Sequence, residues 1–189
     1  MSAYQCLDTQ QVDYGPYSII PVQHDHIEKI RLWRNAQMAM LRQATALSPL
    51  QQQSYFATQI WPEMDALQPN NILMAYLQNG ELIGYGGLVH ISWEHIRAEV
   101  SFLAAPNRAQ DPAIYASDHK SFLELMKILA FDHLGFHRLF TETYDIRQPH
   151  IVNLEAAGFI REGVMRAHVR IDGRSVDSII HGCLSTYER

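Results

Sequence analysis

Residues 134–144 read Leu-Gly-Phe-His-Arg-Leu-Phe-Thr-Glu-Thr-Tyr, and this stretch decides the fold. Gly135 provides the left-handed residue at which a helix ends, and the β-rich run after it predicts a strand. Pro149 suits the first turn of the next helix, and Gly158 ends that helix before a further strand. Because this crossover joins two strands, we expect part of the sheet to be parallel.

The helix before this strand is predicted from its apolar spacing. The apolar residues recur at i, i+3, i+4 and i+7, and they are Phe122, Leu123, Leu125, Met126, Leu129 and Ala130. Ser117 or Asp118 is expected to cap the helix, because both side chains accept hydrogen bonds from N-terminal amides. The pattern predicts an amphipathic helix with one buried face.

Two further helices are predicted in the first part of the chain. The first covers residues 24–35 and follows a strand at residues 17–22. The second covers residues 51–60, and Ser48 and Pro49 are expected to open it because Ser is a good N-cap and Pro fits the first helical position.

Two hairpins are predicted from their turn residues. Asn79-Gly80 lies between two β-rich runs, and Asp172-Gly173 lies between two runs near the end of the chain. Gly86-Gly87 on a predicted strand indicates a bulge or a point of close packing. A further strand is expected over residues 96–104.

These elements predict an α/β (α+β) fold with a mixed central sheet of about seven strands, an antiparallel meander and flanking helices. At 189 residues, the chain is expected to form a single domain over residues 1–189.

Charge and cysteine content exclude several classes of function. The chain has 15 Lys and Arg residues, 20 Asp and Glu residues and a formal net charge of −5. Without a Lys/Arg-rich run, neither nucleic acid nor a membrane is expected as a partner. Cys6 and Cys183 lie far apart, and the sequence has neither a leader peptide nor an apolar run of about 18 residues. We therefore expect a soluble, cytoplasmic protein.

Histidines are numerous but do not form a metal-binding pattern. The pairs His24 with His26 and His133 with His137 each lack the third ligand and the Glu that usually accompany such spacing. We therefore expect no metal.

The order of these elements, with four short stretches in the first half of the chain, resembles the GNAT superfamily of acyl-CoA-dependent N-acyltransferases. The similarity is greatest to the branch of ribosomal-protein N-terminal acetyltransferases and amino-sugar N-acetyltransferases. The stretches are Leu32-Trp33-Arg34-Asn35, Ser48-Pro49 before Tyr55-Phe56, residues 82–88, and Glu99 to Leu103 closing at Ala105-Pro106. The resemblance implies the GNAT fold, acetyl-CoA as co-substrate and an amine as acceptor.

The resemblance also implies a loop whose amides, with the following helix N-terminus, hold the pyrophosphate of CoA. After Pro106 this chain has a longer loop without glycine. Helix amides still suit a phosphate, and the expected supplementary residues are Arg108, Ser117, Asp118, His119 and Lys120. The alternative is that the loop is an insertion that only connects strand to helix.

Two positions of the short helix before Gly158 depart from the family pattern. Arg147 stands where the family has an Asn that helps to hold the pantetheine arm, and Leu154 stands where it has a Tyr that acts as general acid. Tyr144 and Tyr115 are candidate substitutes for this acid. The alternative for each is ordinary aromatic packing.

Glu99 is the candidate general base. The amine must lose a proton as it attacks a thioester, and a carboxylate accepts that proton directly or through water. The family places a Glu on this strand, and backbone N–H groups of Phe102, Leu103 and Ala104 would polarise the thioester carbonyl. The alternative for Glu99 is a pair with an arginine or an exposed position at the sheet edge.

The last hairpin carries a candidate acceptor site. Arg166, His168 and Arg170 stand at alternate positions of one strand and are expected to share a face. Guanidinium groups match phosphate oxygens, so a nucleotide-linked amino sugar is one expected acceptor. The alternative is a solvated strand face.

The leading hypothesis is an N-acetyltransferase that transfers an acetyl group from acetyl-CoA to a primary amine by direct attack in a ternary complex. The acceptor is expected to be an amino sugar, another small molecule or a protein N-terminus, and a homodimer is possible. The alternative is a catalytically inactive GNAT-like binding module with an eroded CoA loop.

Overall fold

A computed structural model describes residues 2–41 and 43–185. Its centre is one eight-stranded mixed sheet with the strand order β1-β2-β3-β4-β5-β6-β8-β7. The strands are β1 (Val12–Tyr14), β2 (Tyr17–Pro21), β3 (Ile72–Gln78), β4 (Glu81–Ser92), β5 (Arg97–Ala104), β6 (Arg138–Tyr144), β7 (Ile160–Ile171) and β8 (Arg174–Leu184).

The helices connect and cover this sheet. They are α1 (Ile27–Ala36), α2 (Pro49–Tyr55), α3 (Trp61–Met64), α4 (Pro106–Ala109), α5 (Pro112–Lys127) and α6 (Gln148–Ala156). Short 3-10 turns lie at His24–His26 and Met38–Met40, and π-helical segments follow α2 at Phe56–Ile60 and α5 at Ile128–His133.

Local sequence signals identified most of these elements correctly. Ser48 caps α2 by accepting a hydrogen bond from the Gln51 amide, and Pro49 occupies its first turn. Asn79-Gly80 and Asp172-Gly173 have positive φ angles and join antiparallel strands, as their turn type requires. The predicted number of strands was low by one, because the three-residue β1 has too short a pattern to detect.

The sheet contains a parallel pair, as expected, but it is not the pair that the crossover before β7 suggested. The parallel pair is β5 with β6, joined through α4 and α5. The crossover through α6 carries the chain from β6 to β7, but β8 lies between these two strands and pairs antiparallel with both.

The predicted start of α5 was wrong. The helix begins at Pro112, and Asp111 caps it by accepting hydrogen bonds from the Ala113 and Ile114 amides at 2.9 and 3.1 Å. Ser117 and Asp118 therefore lie inside the helix. The Asp-Pro pair is a cap followed by a first-turn proline, and in the sequence we assigned it to the loop.

The helices lie on opposite faces of the sheet. Phe122 of α5 contacts the rings of Tyr76 and Phe102 on one face. Neighbouring strand residues point to opposite faces, so Ser101 and Leu103 of β5 face the side that α1 and α2 cover. Both faces carry buried apolar residues, and the core is continuous from β1 to β6.

Candidate active site

A cleft opens where β5 and β6 diverge. Their parallel ladder pairs Arg97 with Arg138 and ends at Glu99 with Phe140. Beyond that point β5 remains paired with β4 and β6 remains paired with β8. The two halves of the sheet therefore splay apart and leave a central cleft of about 210 Å³ between them.

Among the residues that the structure describes, four charged side chains line the central cleft. They are Arg34 from α1, Glu99 from β5, Glu142 from β6 and Arg147 from the residue before α6. A site with both signs of charge suits a reaction in which a proton leaves one reactant and negative charge develops on another.

Glu99 lies at the vertex of the cleft, as the sequence predicted for a general base. It is 8% exposed, and its Oε2 lies 2.7 Å from Nδ1 of His90. A register shift in β4 between Val89 and Ser92, with a positive φ at His90, turns the imidazole towards the carboxylate. His90 connects Glu99 to solvent, because its own side chain is exposed.

The backbone of β5 forms one wall of the cleft. Phe102 and Leu103 line it, and no strand of the described chain pairs with this side of β5 beyond Glu99. About every second residue there turns its N–H and C=O into the cleft. The Ala104 carbonyl already has a partner, because it accepts a hydrogen bond from the Gln37 side chain at 3.0 Å.

A second cavity, the α4–α6 groove, leads away from the central cleft. Its volume is about 450 Å³, and its walls come from the end of α1 and the following 3-10 turn, from the residues that follow β5 and from the start of α6. Met40, Arg147 and His150 line both this groove and the central cleft, so the two cavities meet at these side chains.

A hydrogen-bonded cluster of Tyr115, Arg147 and His150 occupies that junction. The Tyr115 hydroxyl lies 2.7 Å from Nδ1 of His150, and Arg147 donates to the same hydroxyl at 3.2 Å. Burial raises the pKa of Tyr115, while the nearby Arg147 acts in the opposite direction. Tyr115 is thus a neutral phenol beside a fixed cation that would stabilise its anion.

Burial also keeps the imidazoles of His119 and His150 neutral. His119 stacks on His150 with ring centres 3.9 Å apart. Burial, followed by repulsion from Arg147, lowers the pKa of His119 to about 3. Burial and the neighbouring His119 lower the pKa of His150 well below its ordinary value. A neutral His150 can accept the hydrogen bond of Tyr115.

Tyr144 lies on the opposite wall, at the end of β6. It is half-buried and lines the central cleft but not the α4–α6 groove. The structure thus places Tyr144 in the central cleft and Tyr115 in the adjoining α4–α6 groove, where Arg147 donates to the Tyr115 hydroxyl.

Most of the predicted phosphate ligands lie outside the cleft and the groove. Arg108 binds the buried carboxylate of Asp118 through two nitrogens and also donates to Gln78. His119 is buried, and Ser117 and Lys120 are exposed on α5 without lining either cavity. The prediction that these residues surround the first turn of α5 is wrong, because that turn is six residues earlier, at Pro112.

A third cavity, the α1–α2 pocket, adjoins the central cleft on its other side. It has a volume of about 280 Å³ and shares Arg34, Tyr85, Val89 and Ser101 with the cleft. Arg34 donates to the Tyr85 hydroxyl at 2.8 Å. The other lining residues are Ile30, Leu47, Gln52, Tyr55, Phe56 and Leu73.

Gln52 is the unusual member of this pocket. Its side chain is 2% exposed and lines the pocket among mostly apolar residues. A side-chain amide both donates and accepts hydrogen bonds, so Gln52 can offer a polar contact to a ligand in this pocket.

The predicted acceptor residues of β7 lie apart from these cavities. Arg166 and Arg170 are exposed, and Arg170 donates to the Gly173 carbonyl. A register shift between Met165 and Val169, with a positive φ at Ala167, interrupts the expected alternation. Only His168 approaches the cleft, with its Nε2 at 3.6 Å from Glu142.

Sequence reasoning missed His90, Gln52 and His150 as site residues. His90 follows Val89, which pairs with Glu99, so simple alternation places it on the other face of the sheet. His150 lies three residues after Arg147 on the same helical turn, and this i, i+3 spacing was the one signal available.

The sequence model described as an acetyltransferase (GNAT) domain matches residues 20–180. The chain belongs to the GNAT acetyltransferase family. This membership confirms the resemblance, the fold class and the expectation of an acetyltransferase.

Solved GNAT structures share this fold at low sequence identity. The spermidine N-acetyltransferase of Vibrio cholerae, solved with CoA and spermine, has a TM-score of 0.76 and 17% identity over 90% of this chain and 96% of that chain. A GCN5-related N-acetyltransferase from Brucella melitensis has a TM-score of 0.69 and 16% identity over 97% and 82%. A search of curated proteins found no match.

The described part of this GNAT chain contains neither a metal-binding cluster nor a membrane-spanning helix. No group of three or more His, Cys, Asp or Glu side chains in that part of the chain could hold a metal ion. No helix in the same residues is long and apolar enough to cross a bilayer.

Proposed function

We propose that this GNAT enzyme transfers an acetyl group from acetyl-CoA to a primary amine by direct attack within a ternary complex. The C–N bond forms as the C–S bond of the thioester breaks, one amine proton passes to a base, and the thiolate takes up a proton to leave as free CoA. The observation that carries the proposal is the buried carboxylate of Glu99 at the vertex of the splayed sheet.

The amine is proposed to enter from the α1–α2 pocket. Glu99 faces that side of β5 together with Ser101, because residues at alternate positions share a face. A carboxylate at this place accepts the proton that the nitrogen loses, and His90 returns that proton to solvent through its 2.7 Å contact.

The thioester is proposed to lie against β5, with its arm in the α4–α6 groove. Unpaired backbone groups between Val100 and Ala104 offer hydrogen bonds to the arm and to the thioester oxygen. The sulfur then lies near the junction of the two cavities. Tyr115 is the proposed donor of a proton to the departing thiolate, with Arg147 stabilising the phenolate that remains.

The acceptor is proposed to be an amine on a mainly apolar body. No Asp or Glu among the described residues lines the α1–α2 pocket, and its one charged side chain is the cation Arg34. An extended polycation, such as the spermine bound to the Vibrio cholerae enzyme, would meet that cation without a compensating carboxylate in the pocket. Ile30, Phe56 and Leu73 favour apolar contact, and the Gln52 amide favours one polar group on the acceptor.

A panel of amines tests this proposal through release of CoA thiol. Aromatic and branched aliphatic amines that carry a carbonyl or amide group are expected to stimulate thiol release more than spermidine does. Replacing Gln52 by Leu should raise the KM of the preferred amine by about tenfold, with little change in the KM of acetyl-CoA, since a buried hydrogen bond is worth about 1–2 kcal/mol.

Gln53→Leu is the matched control, because Gln53 is the exposed neighbour of Gln52 on α2. Equal effects of the two substitutions would contradict the acceptor assignment. Binding of acetyl-CoA without thiol release for any amine of the panel would instead support a non-catalytic GNAT-like module.

A further inference from the structure

The anion-binding end of α5 is already occupied by a side chain of the protein. The Asp111 carboxylate accepts hydrogen bonds from the Ala113 and Ile114 amides at 2.9 and 3.1 Å. These N–H groups and the helix dipole are what would otherwise attract a phosphate. With a carboxylate on them, a second anion gains fewer hydrogen bonds and meets a negative charge.

The neighbouring cation does not offset this charge. Arg108 lies three residues before Asp111 and is held by Asp118 through Nε and by a second contact of 2.8 Å to its Oδ1. Asp118 is fully buried and also accepts from the Tyr17 hydroxyl. Arg108 cannot turn to a ligand without leaving a buried carboxylate unpaired, which is strongly unfavourable.

The donor must nevertheless pass this end of α5. The α4–α6 groove starts at Arg147 and His150 beside the central cleft and runs along Pro106, Ala109 and Gln110, the last of which directly precedes Asp111. Its lining residues in the described chain include no Lys, and Arg147 is its only Arg. That guanidinium belongs to the thioester end, where it contacts Tyr115.

From this arrangement we infer that the enzyme recognises its donor through the pantetheine arm and gains little from the pyrophosphate of CoA, with Asp111 as the residue that sets this selectivity. The inference rests on the proposed function, because it concerns the donor of the same transfer. The shared chemistry is a pantetheine thioester, which either CoA or a phosphopantetheine-loaded carrier protein can present.

Calorimetric titration of the full chain with CoA and with pantetheine tests the inference without an acceptor. The dissociation constants of the two ligands should agree within about tenfold in the wild type. Asp111→Asn should tighten CoA binding by about fivefold and leave pantetheine unchanged, because it removes a charge beside a helix N-terminus. Asn is as good an N-cap as Asp, so the helix should stay intact.

Asp111→Ser is a second neutral cap and should behave as Asp111→Asn does. Asp132→Asn is the matched control, since it removes an exposed carboxylate from the opposite end of the same helical segment and should change neither constant. A wild-type preference for CoA above about a hundredfold, or equal CoA affinity with and without the Asp111 charge, would overturn the inference.

Two outcomes separate this inference from the proposed function. If neither ligand binds at millimolar concentration, the proposed function itself fails. If both bind, a third titration with a phosphopantetheine-loaded carrier protein identifies the source of the arm. If the loaded carrier protein binds more tightly than pantetheine, the carrier is the source of the arm. If the two bind equally, CoA is the source. Both outcomes agree with recognition through the arm.

Discussion

The side chains that meet at the end of the central cleft differ in what they can do with a proton. Tyr115 has Arg147 as a donor partner and a neutral imidazole as acceptor, whereas Tyr144 lines the opposite wall. A phenol with a fixed cation beside it gives up its proton to a strong base at lower cost than a phenol without one. This difference favours Tyr115 over Tyr144 as the proposed proton donor.

Tyr115→Phe is expected to lower kcat for acetyl transfer by about tenfold to a hundredfold, because it removes the proton donor for the thiolate. Tyr144→Phe should lower kcat by less than about threefold. Steady-state thiol release, with CoA affinity measured in parallel, compares the two variants. The reverse order of effects would assign proton donation to Tyr144.

The elements that hold the cleft open depend on close backbone approach. A Cβ on Gly86 would lie 2.1 Å from the Ser101 carbonyl oxygen, and one on Gly87 would lie 2.0 Å from the Ile72 carbonyl oxygen. Gly87 also has a φ of +146°, which side chains rarely allow. These glycines let β4 sit tightly between β3 and β5 and so fix the cleft wall.

Gly87→Ala is therefore expected to reduce the free energy of unfolding by on the order of 3 kcal/mol, from strain and overpacking together. Gly163→Ala in β7 is the control, because its Cβ would contact nothing within 4 Å. It should change stability by less than about 0.5 kcal/mol. Urea unfolding measures both, and similar values for the two variants would refute the close-packing role of Gly87.

Local sequence signals were sufficient to predict turns, helix starts and packing points wherever one or two residues fix the backbone conformation. Asn79-Gly80, Ser48 with Pro49, and the Gly86-Gly87 packing point are examples, and the structure confirms each. The start of α5 was wrong because the cap was assigned to Ser117 or Asp118 and Asp111-Pro112 was assigned to the preceding loop. Asp111 takes that role, since Pro112 after it cannot donate to a preceding turn.

Site residues were predictable only where they follow strand alternation. Glu99 does, and it lies in the cleft as predicted. His90 does not, because a bulge in β4 turns its side chain to the other face of the sheet. No sequence signal near His90 predicted that bulge. Gln52 belongs to a predicted helix, but the pocket that it lines is formed with residues distant in sequence, such as Leu73 and Ser101.

At the scale of the whole molecule, the buried imidazoles connect folding to pH. His119 and His150 are neutral in the folded state because burial lowers their pKa values. In the unfolded chain they titrate at about pH 6.5. As pH falls below that value, the unfolded state binds protons that the folded state does not, so stability is present at neutral pH and decreases towards the folded pKa of about 3 for His119.

Each of these histidines should make stability decrease by up to about 1.4 kcal/mol per pH unit below about pH 6. His119→Phe keeps the stacking between Phe102 and His150 and removes one titrating group. The variant should therefore lose stability less steeply than the wild type, by about that amount per pH unit. Urea unfolding at several pH values gives the slopes, and identical slopes would contradict burial of a neutral His119.

The central claim is that Glu99 removes the amine proton in an acetyl transfer at the splayed edge of β5. The most direct test is the initial rate of CoA thiol release by wild type and Glu99→Gln, with saturating acetyl-CoA and the preferred amine. We predict amine-dependent release by the wild type, a kcat lower by about a hundredfold or more in Glu99→Gln, and the same affinity for CoA in both. An unchanged kcat in Glu99→Gln would contradict the claim.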